Sequence, residues 1–398
     1  MSAYRRNIGL NYILSFFLFA NLAASTIVVF LQDNGLSVAQ IFILQAIGPL
    51  VILLSELPTG VFADVSGRKK SIVVACVLFG LASFLTIFSH SFFSFLFVLS
   101  LAAFGSTFYS GSGDALMYDS LREERRTRFA KLAFSNNALF RLIGLGSAVI
   151  LGAFIASINY RLNFALMSVI SLIALFVALK FKEPESTARI KAKTVWKETI
   201  NAITLMLHVR PYVILMLALA VLSNISLVIL IYIQFYLAGF GVNLFLFGFV
   251  YAALAIMQGV GVKVGSFIET FLKPKYFSIL VMILYAASLG LLGISDSLVF
   301  FLVNAHLFMF VSGLFGAVFA DYQNRFVPSM TRATIGSFSA IVNSFIFVLI
   351  IIPVGLASEL FGLGAGVLLV ALISLSIIPA LGLRIDDDII LKSVDDGL

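Results

Sequence analysis

The chain has 398 residues, of which 61% are hydrophobic and only 11% are charged, and its mean hydropathy is +1.10. Soluble domains carry about 25% charged residues, so this composition excludes an ordinary soluble protein and indicates one embedded in a lipid bilayer. The net charge is +7, but the basic residues punctuate apolar runs and form no patch with interleaved aromatics, which argues against a nucleic-acid partner. The single cysteine, Cys76, permits no disulfide framework, and we interpret it as a packing residue.

Apolar runs long enough to cross a bilayer recur along the whole chain. A spanning helix needs about 20 predominantly apolar residues, and the sequence predicts twelve of them. Their approximate bounds are 10–31, 38–63, 71–89, 92–121, 128–157, 162–181, 211–238, 244–268, 276–294, 298–323, 334–358 and 363–383. The predicted fold class is therefore an all-α membrane protein with twelve transmembrane helices, and the even number places both termini on one side.

The lysines and arginines indicate which side that is. Nearly all of them fall on the side of the two termini, beginning with Arg5 and Arg6, whereas Arg161 falls on the other side and Arg141 inside a span. Cytoplasmic loops carry the excess of positive charge, so we expect both termini in the cytoplasm and a location in the cytoplasmic, or inner, membrane of a prokaryote. The first apolar run lacks a small-residue cleavage site, which argues against a removed signal peptide.

One long hydrophilic connection divides the chain. It covers residues 182–209 and predicts two bundles of six spans, at residues 1–181 and 210–398, the second with a short acidic cytoplasmic tail. The connection is either a basic tether or a helix lying at the membrane surface. A second-half stretch also echoes the first-half loop described next, since Gly60, Asp64 and Arg68 have the counterparts Gly265, Glu269 and Lys273.

The stretch GVFADVSGRKK, at residues 60–70, concentrates unusual residue types between two apolar runs. Gly60 permits a close backbone approach, Gly67 permits a tight turn, and Asp64 is an acceptor at the membrane edge. The pattern GxxxDxxGRKK closely resembles the loop between the second and third helices of the major facilitator superfamily of secondary transporters. The resemblance implies two pseudo-symmetric six-helix bundles that expose a central site alternately to the two sides of the membrane.

The same resemblance implies a gate on the cytoplasmic side. In similar transporters the arginine of this loop pairs with an acidic residue at the inner end of the fourth helix, and the string DSLREERRT makes Asp119 the candidate partner of Arg68. Asp64 is then expected to face the N-terminus of the eleventh helix, where unpaired N–H groups attract an anion. The alternative is that these side chains only reach for water at the membrane boundary.

Three charged residues are predicted deeper inside spans, namely Glu56, Asp114 and Arg141. Charges inside a bilayer are costly and are site hypotheses by default, so we take these residues as candidates for coupling or substrate binding. Their surplus negative charge is suited to exchanging a proton for a cationic substrate. The alternative is a structural ion-pair network between the second, fourth and fifth helices, with Glu56 only satisfying backbone groups freed by Pro58.

The helix that carries Arg141 also carries a stripe of small residues at a spacing of four. Gly144, Ala148 and Gly152 lie close to Arg141 in helical angle. Such stripes pack against another helix, and this packing is predicted to turn the arginine inward.

Further polar residues lie within predicted spans. His306 is a candidate proton relay, or it is hydrogen-bonded to a neighbouring carbonyl. Uncharged candidates for lining a central cavity are Asn21, Gln45, Asn137, Asn224, Tyr251, Gln258 and Asn343. Hydrogen bonding between helices explains any of them equally well.

No enzyme signature is visible in the sequence. It contains no phosphate-binding GxxxxGK[ST] loop and no metal-ligand cluster, so we expect no catalytic residues, cofactor or metal.

We expect a monomeric secondary transporter in the lipid bilayer that exports a small amphipathic or cationic compound by antiport, with protons as the coupling ion. Residues 92–109 lack an arginine and the fifth span lacks a glycine-proline pair, both common in drug exporters, so an uptake symporter or facilitator of a metabolite is the alternative. A non-transporting membrane receptor is a remote alternative.

Overall fold

The computed structural model describes residues 3–184, 204, 206–327 and 332–377. These residues form α-helices joined by short turns, with one 3₁₀ segment and no strand within the ranges given. Because a bilayer offers no water to the backbone, only an architecture that satisfies its N–H and C=O groups internally can span it. The predicted all-α fold class is thereby confirmed.

Seven helices cover the first six apolar runs. They are α1 (Ala3–Phe19), α2 (Ile27–Asp33), α3 (Val38–Ser66), α4 (Arg68–Thr86), α5 (Phe92–Glu123), α6 (Ala130–Ile158) and α7 (Tyr160–Leu179), with a 3₁₀ turn at Thr127–Phe129 before α6. Two of them begin at local caps. Ser91 and Ser94 form a capping box at the start of α5, and the side chain of Asn159 accepts from the N–H of Arg161 at the start of α7.

The first predicted span is not one continuous helix, so this prediction is wrong in detail. The chain breaks between α1 and α2, where Asn21 Oδ1 accepts from the N–H of Ala23 at 3.1 Å. The freed carbonyl of Leu22 is hydrogen-bonded by the side chain of Asn163, which also donates to the carbonyl of Gly152 at 3.0 Å. Because a distant asparagine supplies the missing partner, the break leaves this carbonyl satisfied.

The remaining helices are α8 (Arg210–Gly239), α9 (Leu244–Glu269), α10 (Pro274–Gly293), α11 (Leu298–Arg325), α12 (Arg332–Phe361) and α13 (Leu363–Leu375). Ten helices of the described residues are long and apolar enough to cross a membrane. Helix α13, with 13 residues, is a shorter apolar helix, and α1 has 17 residues. The last predicted span extends to Leu383, and its part beyond residue 377 lies outside the described residues.

The chain forms two compact units. The first comprises Met1–Leu36, Leu44–Arg189 and Gly241–Ala252. Within it, α4 packs against α5 and α7, and α1 packs against α6. The small-residue stripe of α6 makes the latter contact, because a Cβ at Gly144 would overlap the carbonyl of Phe16 and one at Gly152 would overlap that of Leu22.

The second unit comprises Ser37–Ile43, Ile190–Phe240 and Ala253–Leu398. Within it, α10 packs against α13 and α11, and α8 packs against α12 and α11. Helices α9 and α11 cross closely because Gly261 and Gly265 face the carbonyls of Phe310 and Leu314 without an intervening side chain. Most of the predicted linker lies outside the described residues, and the division at 182–209 stays a prediction.

Candidate functional site

The loop between α3 and α4 is a single residue. Gly67 separates Ser66 from Arg68 and has a φ of +104°, a backbone conformation that residues with a Cβ rarely adopt. The tight turn predicted from the sequence is present. Gly60 lies within the last two turns of α3, and the close backbone approach expected there stays a prediction.

An acidic residue that the sequence reasoning missed caps α4. Glu183, just past the end of α7, accepts hydrogen bonds from the backbone N–H groups of Arg68 at 2.7 Å and Lys69 at 2.8 Å. Gly67 offers no side chain for capping, and a Cβ there would lie 3.0 Å from the Glu183 carboxyl carbon. The glycine therefore serves both the turn and the approach of a carboxylate to the positive end of the helix.

A buried asparagine holds the chain just before Glu183. Asn7 Oδ1 accepts from the backbone N–H of Lys182 at 3.0 Å, and its Nδ2 donates to the carbonyl of Lys182 at 2.8 Å. The same amide nitrogen donates to Ser120 at 2.9 Å, so α1, α5 and the segment after α7 are joined at one point. Because one side chain binds both backbone groups of Lys182, the position of Glu183 is fixed.

The side chain of Arg68 lies between two carboxylates. Its Nη1 is 3.2 Å from Asp64 Oδ1, one turn earlier in the chain, and its Nε is 3.8 Å from Asp119 Oδ2 at the end of α5. Asp64 is 67% exposed, whereas Asp119 is 17% exposed. The cluster of Asp64, Arg68, Asp119 and Glu183, called the gate cluster below, joins α3, α4, α5 and the end of α7.

Deeper along the helices, Asp114 of α5 and Arg141 of α6 form an ion pair. Arg141 Nη2 donates to Asp114 Oδ1 at 2.6 Å, a short distance typical of a charge-assisted bond. Asn137 Nδ2 also donates to Asp114 Oδ1, at 3.3 Å, and Asn11 donates to Asn137 Oδ1 at 3.4 Å. The network therefore links α5 and α6 to α1, whereas the alternative interpretation of the sequence placed α3 in it.

Two aromatic rings flank the guanidinium of Arg141. Its Cζ lies 5.0 Å from the ring centroid of Phe19 and 6.0 Å from that of Tyr109, within the range of cation–π attraction. The Tyr109 hydroxyl is 2.8 Å from Ser15 Oγ, and its ring occupies the space that a Cβ on Gly113 would need. These aromatic and glycine positions resemble ordinary core, so no sequence pattern distinguishes them from packing residues.

A cavity of about 350 Å³ opens beside this pair in the first unit. It is lined by Leu18, Phe19, Ile52, Phe79, Ser106, Thr107, Tyr109, Ser110 and Arg141. Glu56 lies one helical turn beyond Ile52 on α3, and the described residues give its carboxylate no ion pair. The structure therefore brings together Asp114 and Arg141 but leaves Glu56 apart from them.

None of the seven uncharged candidates is among the residues that line this cavity. Asn137 is buried in the network just described, and Asn21 bonds the turn between α1 and α2. In the second unit, Asn224 is buried and donates to the carbonyl of Asn343 at 2.8 Å. Gln45 and Tyr251 are half-buried on α3 and α9. Asn137, Asn224 and Asn343 therefore take part in hydrogen bonds between helices and Asn21 in a bond of the turn after α1, and the lining role of the seven residues stays a prediction.

A second polar network crosses the core of the second unit. Gln258 donates to Ser312 at 3.3 Å, Ser312 lies 2.8 Å from Ser226, and Ser226 lies 3.0 Å from the Tyr285 hydroxyl. The network connects α9, α11, α8 and α10. These four side chains are uncharged, in contrast to the network around Arg141.

His306 of α11 lies in an apolar groove of about 500 Å³ lined by Met257, Leu302, Val303, Leu307 and Phe310. Its Nδ1 bonds the carbonyl of Leu302 at 2.7 Å, within its own helix. Every other lining side chain of the groove is apolar. The groove therefore contains no second side chain that could accept a proton from His306 or donate one to it. The alternative of a histidine bonded to a neighbouring carbonyl describes this geometry.

Comparison with a family model identifies the family to which this chain belongs. The model of the Major Facilitator Superfamily matches residues 8–352. The chain belongs to the major facilitator superfamily. Solved transporters of this superfamily have the twelve-helix fold, so the predicted fold class and the resemblance of the loop at residues 60–70 are both confirmed.

Solved structures of superfamily transporters superimpose on almost the whole chain. The nucleoside transporter NupG matches with a TM-score of 0.78 at 15% identity, over 97% of this chain and 100% of its own. A bacterial homolog of the human lysosomal transporter Spinster, inward-facing and unoccupied, has a TM-score of 0.76 at 16% identity over 99% of both chains. A D-xylose-proton symporter has a TM-score of 0.72 at 15% identity, over 95% of this chain and 99% of its own.

At these identities the structural matches establish the fold alone. A search of curated proteins finds no match. Superfamily membership and the fold together indicate a multi-pass membrane transporter and not an enzyme. Transporters of this superfamily bind small-molecule substrates, and some of them couple transport to protons. Within residues 3–184, 206–327 and 332–377, no group of His, Cys, Asp or Glu is arranged to hold a metal ion.

Proposed function

We propose that this superfamily member is a monomeric secondary transporter that works by alternating access and exports a small amphipathic or cationic compound in exchange for protons. The observation that carries the proposal is the ion pair of Asp114 and Arg141 beside the 350 Å³ cavity. Arg141 lines the cavity and is paired with Asp114, and we propose that the carboxylate exchanges the coupling proton while the guanidinium contacts the substrate.

The pair provides a simple coupling step. While Asp114 is ionised, it holds Arg141 at 2.6 Å. When Asp114 takes a proton, the guanidinium loses its anionic partner but keeps the faces of Phe19 and Tyr109. The unpaired guanidinium of Arg141 then repels a cationic substrate from the cavity that it lines. Proton uptake and substrate release are thereby linked through one contact.

The gate cluster provides the second requirement, a barrier that opens and closes. Its ion pairs lie at the ends of α3, α4 and α5, which we propose face the cytoplasm together with both chain termini. The proposed divisions are a first bundle at residues 1–181, a linker at 182–209 and a second bundle at 210–398. The excess of basic residues on the side of the gate cluster supports this orientation in a cytoplasmic membrane.

Transport in liposomes tests the proposal directly. The purified protein is reconstituted with a trapped pH dye, a pH gradient is imposed, and cationic, neutral and anionic compounds are added in turn. A compound-dependent proton flux in the direction opposite to the compound supports antiport. A tracer that equilibrates without any proton flux would contradict proton coupling and leave a facilitator.

Uptake by symport is the second candidate. Two observations favour it, namely the absence of an arginine from residues 92–109 of α5 and the fold shared with a D-xylose-proton symporter. In the same liposomes, protons and compound then move in the same direction. A receptor without transport activity is the remote alternative, and it predicts that changes in the gate cluster leave function intact.

A further inference from the structure

The turn between α4 and α5 lies at the end of the first unit opposite the gate cluster, called the far end below. Helix α4 begins at Arg68, within the gate cluster, and its 19 residues extend about 28 Å before the turn. Helix α7 runs back toward the gate cluster and ends just before Glu183, so its first turn lies at the far end. Arg161 in that first turn contacts the residues that follow α4.

The guanidinium of Arg161 holds three segments together at the far end. Its Nη1 donates to the carbonyl of Ile87, and its Nη2 lies 3.4 Å from the carbonyl oxygen of Ser89. The same Nη2 lies 3.2 Å from Asn34 Oδ1, just after α2, and the Phe30 ring centroid lies 5.7 Å from the Arg161 Cζ. Since carbonyls past a helix end attract a cation, this arginine fastens α2 and the α4–α5 turn to α7.

A histidine of the α4–α5 turn is a further partner of this arginine. Arg161 Nη2 lies 2.8 Å from His90 Nδ1, the shortest of its three contacts. A guanidinium stays protonated and has donors only, so the Nδ1 lone pair must accept and the imidazole must be neutral. The backbone N–H of His90 donates to Ser94 Oγ at 3.2 Å, whereas the residue itself is exposed. Protons from the solvent therefore compete directly with Arg161 for the Nδ1 lone pair.

Protonation of this imidazole reverses the contact. Both ring nitrogens then carry a hydrogen, so Nδ1 can no longer accept, and two cations face each other. Within the described residues, the elements around His90 carry two other titratable groups, the hydroxyl of Tyr160 on α7 and the carboxylate of Asp33 on α2, and these bond each other. Because the Asp33 carboxylate is already held by α7, protonation pushes the turn away from Arg161.

We propose that His90 is a pH sensor that fastens or releases the α4–α5 turn at the far end. Neutral His90 holds the turn on Arg161, and protonated His90 releases it while Arg161 keeps Ile87 and Asn34. An imidazole is suited to such a switch, because its charge ordinarily changes between about pH 5 and pH 8. The sensor goes beyond the proposed function and does not depend on it. In the orientation proposed above, the far end faces the outside of the cell, which supplies the protons for the proposed exchange.

Backbone hydrogen exchange of the purified full-length protein measures release of the turn without requiring a known substrate. The N–H groups of Phe88, Ser89 and His90 are all hydrogen-bonded locally, so they exchange when the turn opens. Exchange at residues 87–91 is compared at about pH 8 and about pH 5, after correction for the pH dependence of the chemical step. Loss of one neutral hydrogen bond predicts about threefold to tenfold faster corrected exchange at the lower pH.

Variants at position 90 fix the two states of the sensor. His90→Asn keeps an acceptor and cannot be protonated, so slow exchange is expected at both pH values. His90→Lys is cationic at both pH values, so fast exchange is expected at both. Asp33→Asn removes the neighbouring carboxylate and His306→Leu removes an imidazole of the second unit. Both of these controls are expected to keep the pH response of the unchanged protein.

The outcomes separate the sensor from the proposed function. Equal corrected exchange at the two pH values in the unchanged protein would overturn the sensor, even if transport is intact. A pH response that persists in His90→Asn, or that disappears in Asp33→Asn, would assign the response to another group and would also overturn the sensor. The expected pattern in a protein that moves no compound of the liposome panel would support the sensor and count against transport.

Discussion

Replacement of Asp114 by asparagine isolates the coupling step. The asparagine keeps the shape of the side chain and can still accept a hydrogen bond from Arg141, but it carries no charge and cannot exchange a proton. The bond between Arg141 and position 114, which is 2.6 Å long with aspartate, then changes from charge-assisted to neutral. The contacts of Asn137 with this position and of Phe19 with Arg141 stay in place, so we expect the variant to fold.

The magnitude follows from the exposure of the pair. A charge-assisted bond contributes about 1.5–3 kcal/mol and a neutral bond about 0.5–1.5 kcal/mol, so the difference is about 1 kcal/mol when both groups are buried. The Arg141 side chain is 27% exposed and the Asp114 side chain is 42% exposed, so solvent screening reduces this difference. We therefore expect Arg141 to be released about threefold more often, a small change for binding.

Two transport modes distinguish coupling from binding. Counterflow exchanges labelled for unlabelled compound without net proton movement, and we expect Asp114→Asn to retain it within about threefold. Accumulation driven by a pH gradient requires proton exchange and is expected to be lost. Asp321→Asn is the matched control, because Asp321 forms an ion pair with Arg325 at the same 2.6 Å within one helix, at an exposed position. Gradient-driven accumulation equal to that of the unchanged protein in Asp114→Asn would refute the coupling step.

Further predictions concern the gate cluster, the helix contacts and His306. Arg68→Asp and Asp119→Arg are each expected to reduce transport at least about tenfold, and the double exchange to recover part of it; no recovery in the flux assay contradicts the pairing. Gly144→Ala, which overlaps the Phe16 carbonyl, is expected to lower the melting temperature by several degrees, whereas Gly146→Ala meets open space and is not; equal melting curves would count against the tight crossing. Glu183→Ala is expected to destabilise the start of α4 by about 1–2 kcal/mol and Glu183→Gln by less, measured as faster backbone hydrogen exchange at residues 68–70; identical exchange would show that the cap contributes nothing. His306→Leu is expected to leave gradient-driven transport unchanged, because the imidazole bonds its own helix; a loss of proton dependence would restore the relay.

Much of the helical fold was predictable because each helix is dictated locally by a long apolar run. The turn at Gly67 was predictable because glycine readily adopts a positive φ. The small-residue stripe of α6 was predictable because small residues at a spacing of four typically mark a close contact with another helix. The break after α1 was not predictable. No proline or glycine marks it, and it is stabilised by the side chain of Asn163, which lies far away along the chain.

The site was predictable where a charge stood out against an apolar background. Asp114 and Arg141 were found for that reason, and the structure places them in contact. Glu56 does not take part in this ion pair because of where α3 lies relative to α5 and α6, and no local sequence pattern specifies that position. Glu183 escaped notice because it stands among the charges of a hydrophilic connection, where one carboxylate looks like any other until its partner, the N-terminus of α4, is known.

The clamp formed by Asn7 has a consequence for biosynthesis. Asn7 is fully buried, yet most of its hydrogen-bonding partners become available only when Lys182 has been made. A ribosome synthesises about 5–20 residues per second, so α1 waits for on the order of ten seconds or more before the two bonds between Asn7 and Lys182 can form. The hydrogen bonds of Asn7 are therefore completed by the segment that follows α7. Docking of this segment, where the connection toward α8 begins, is the last step in the assembly of the first unit.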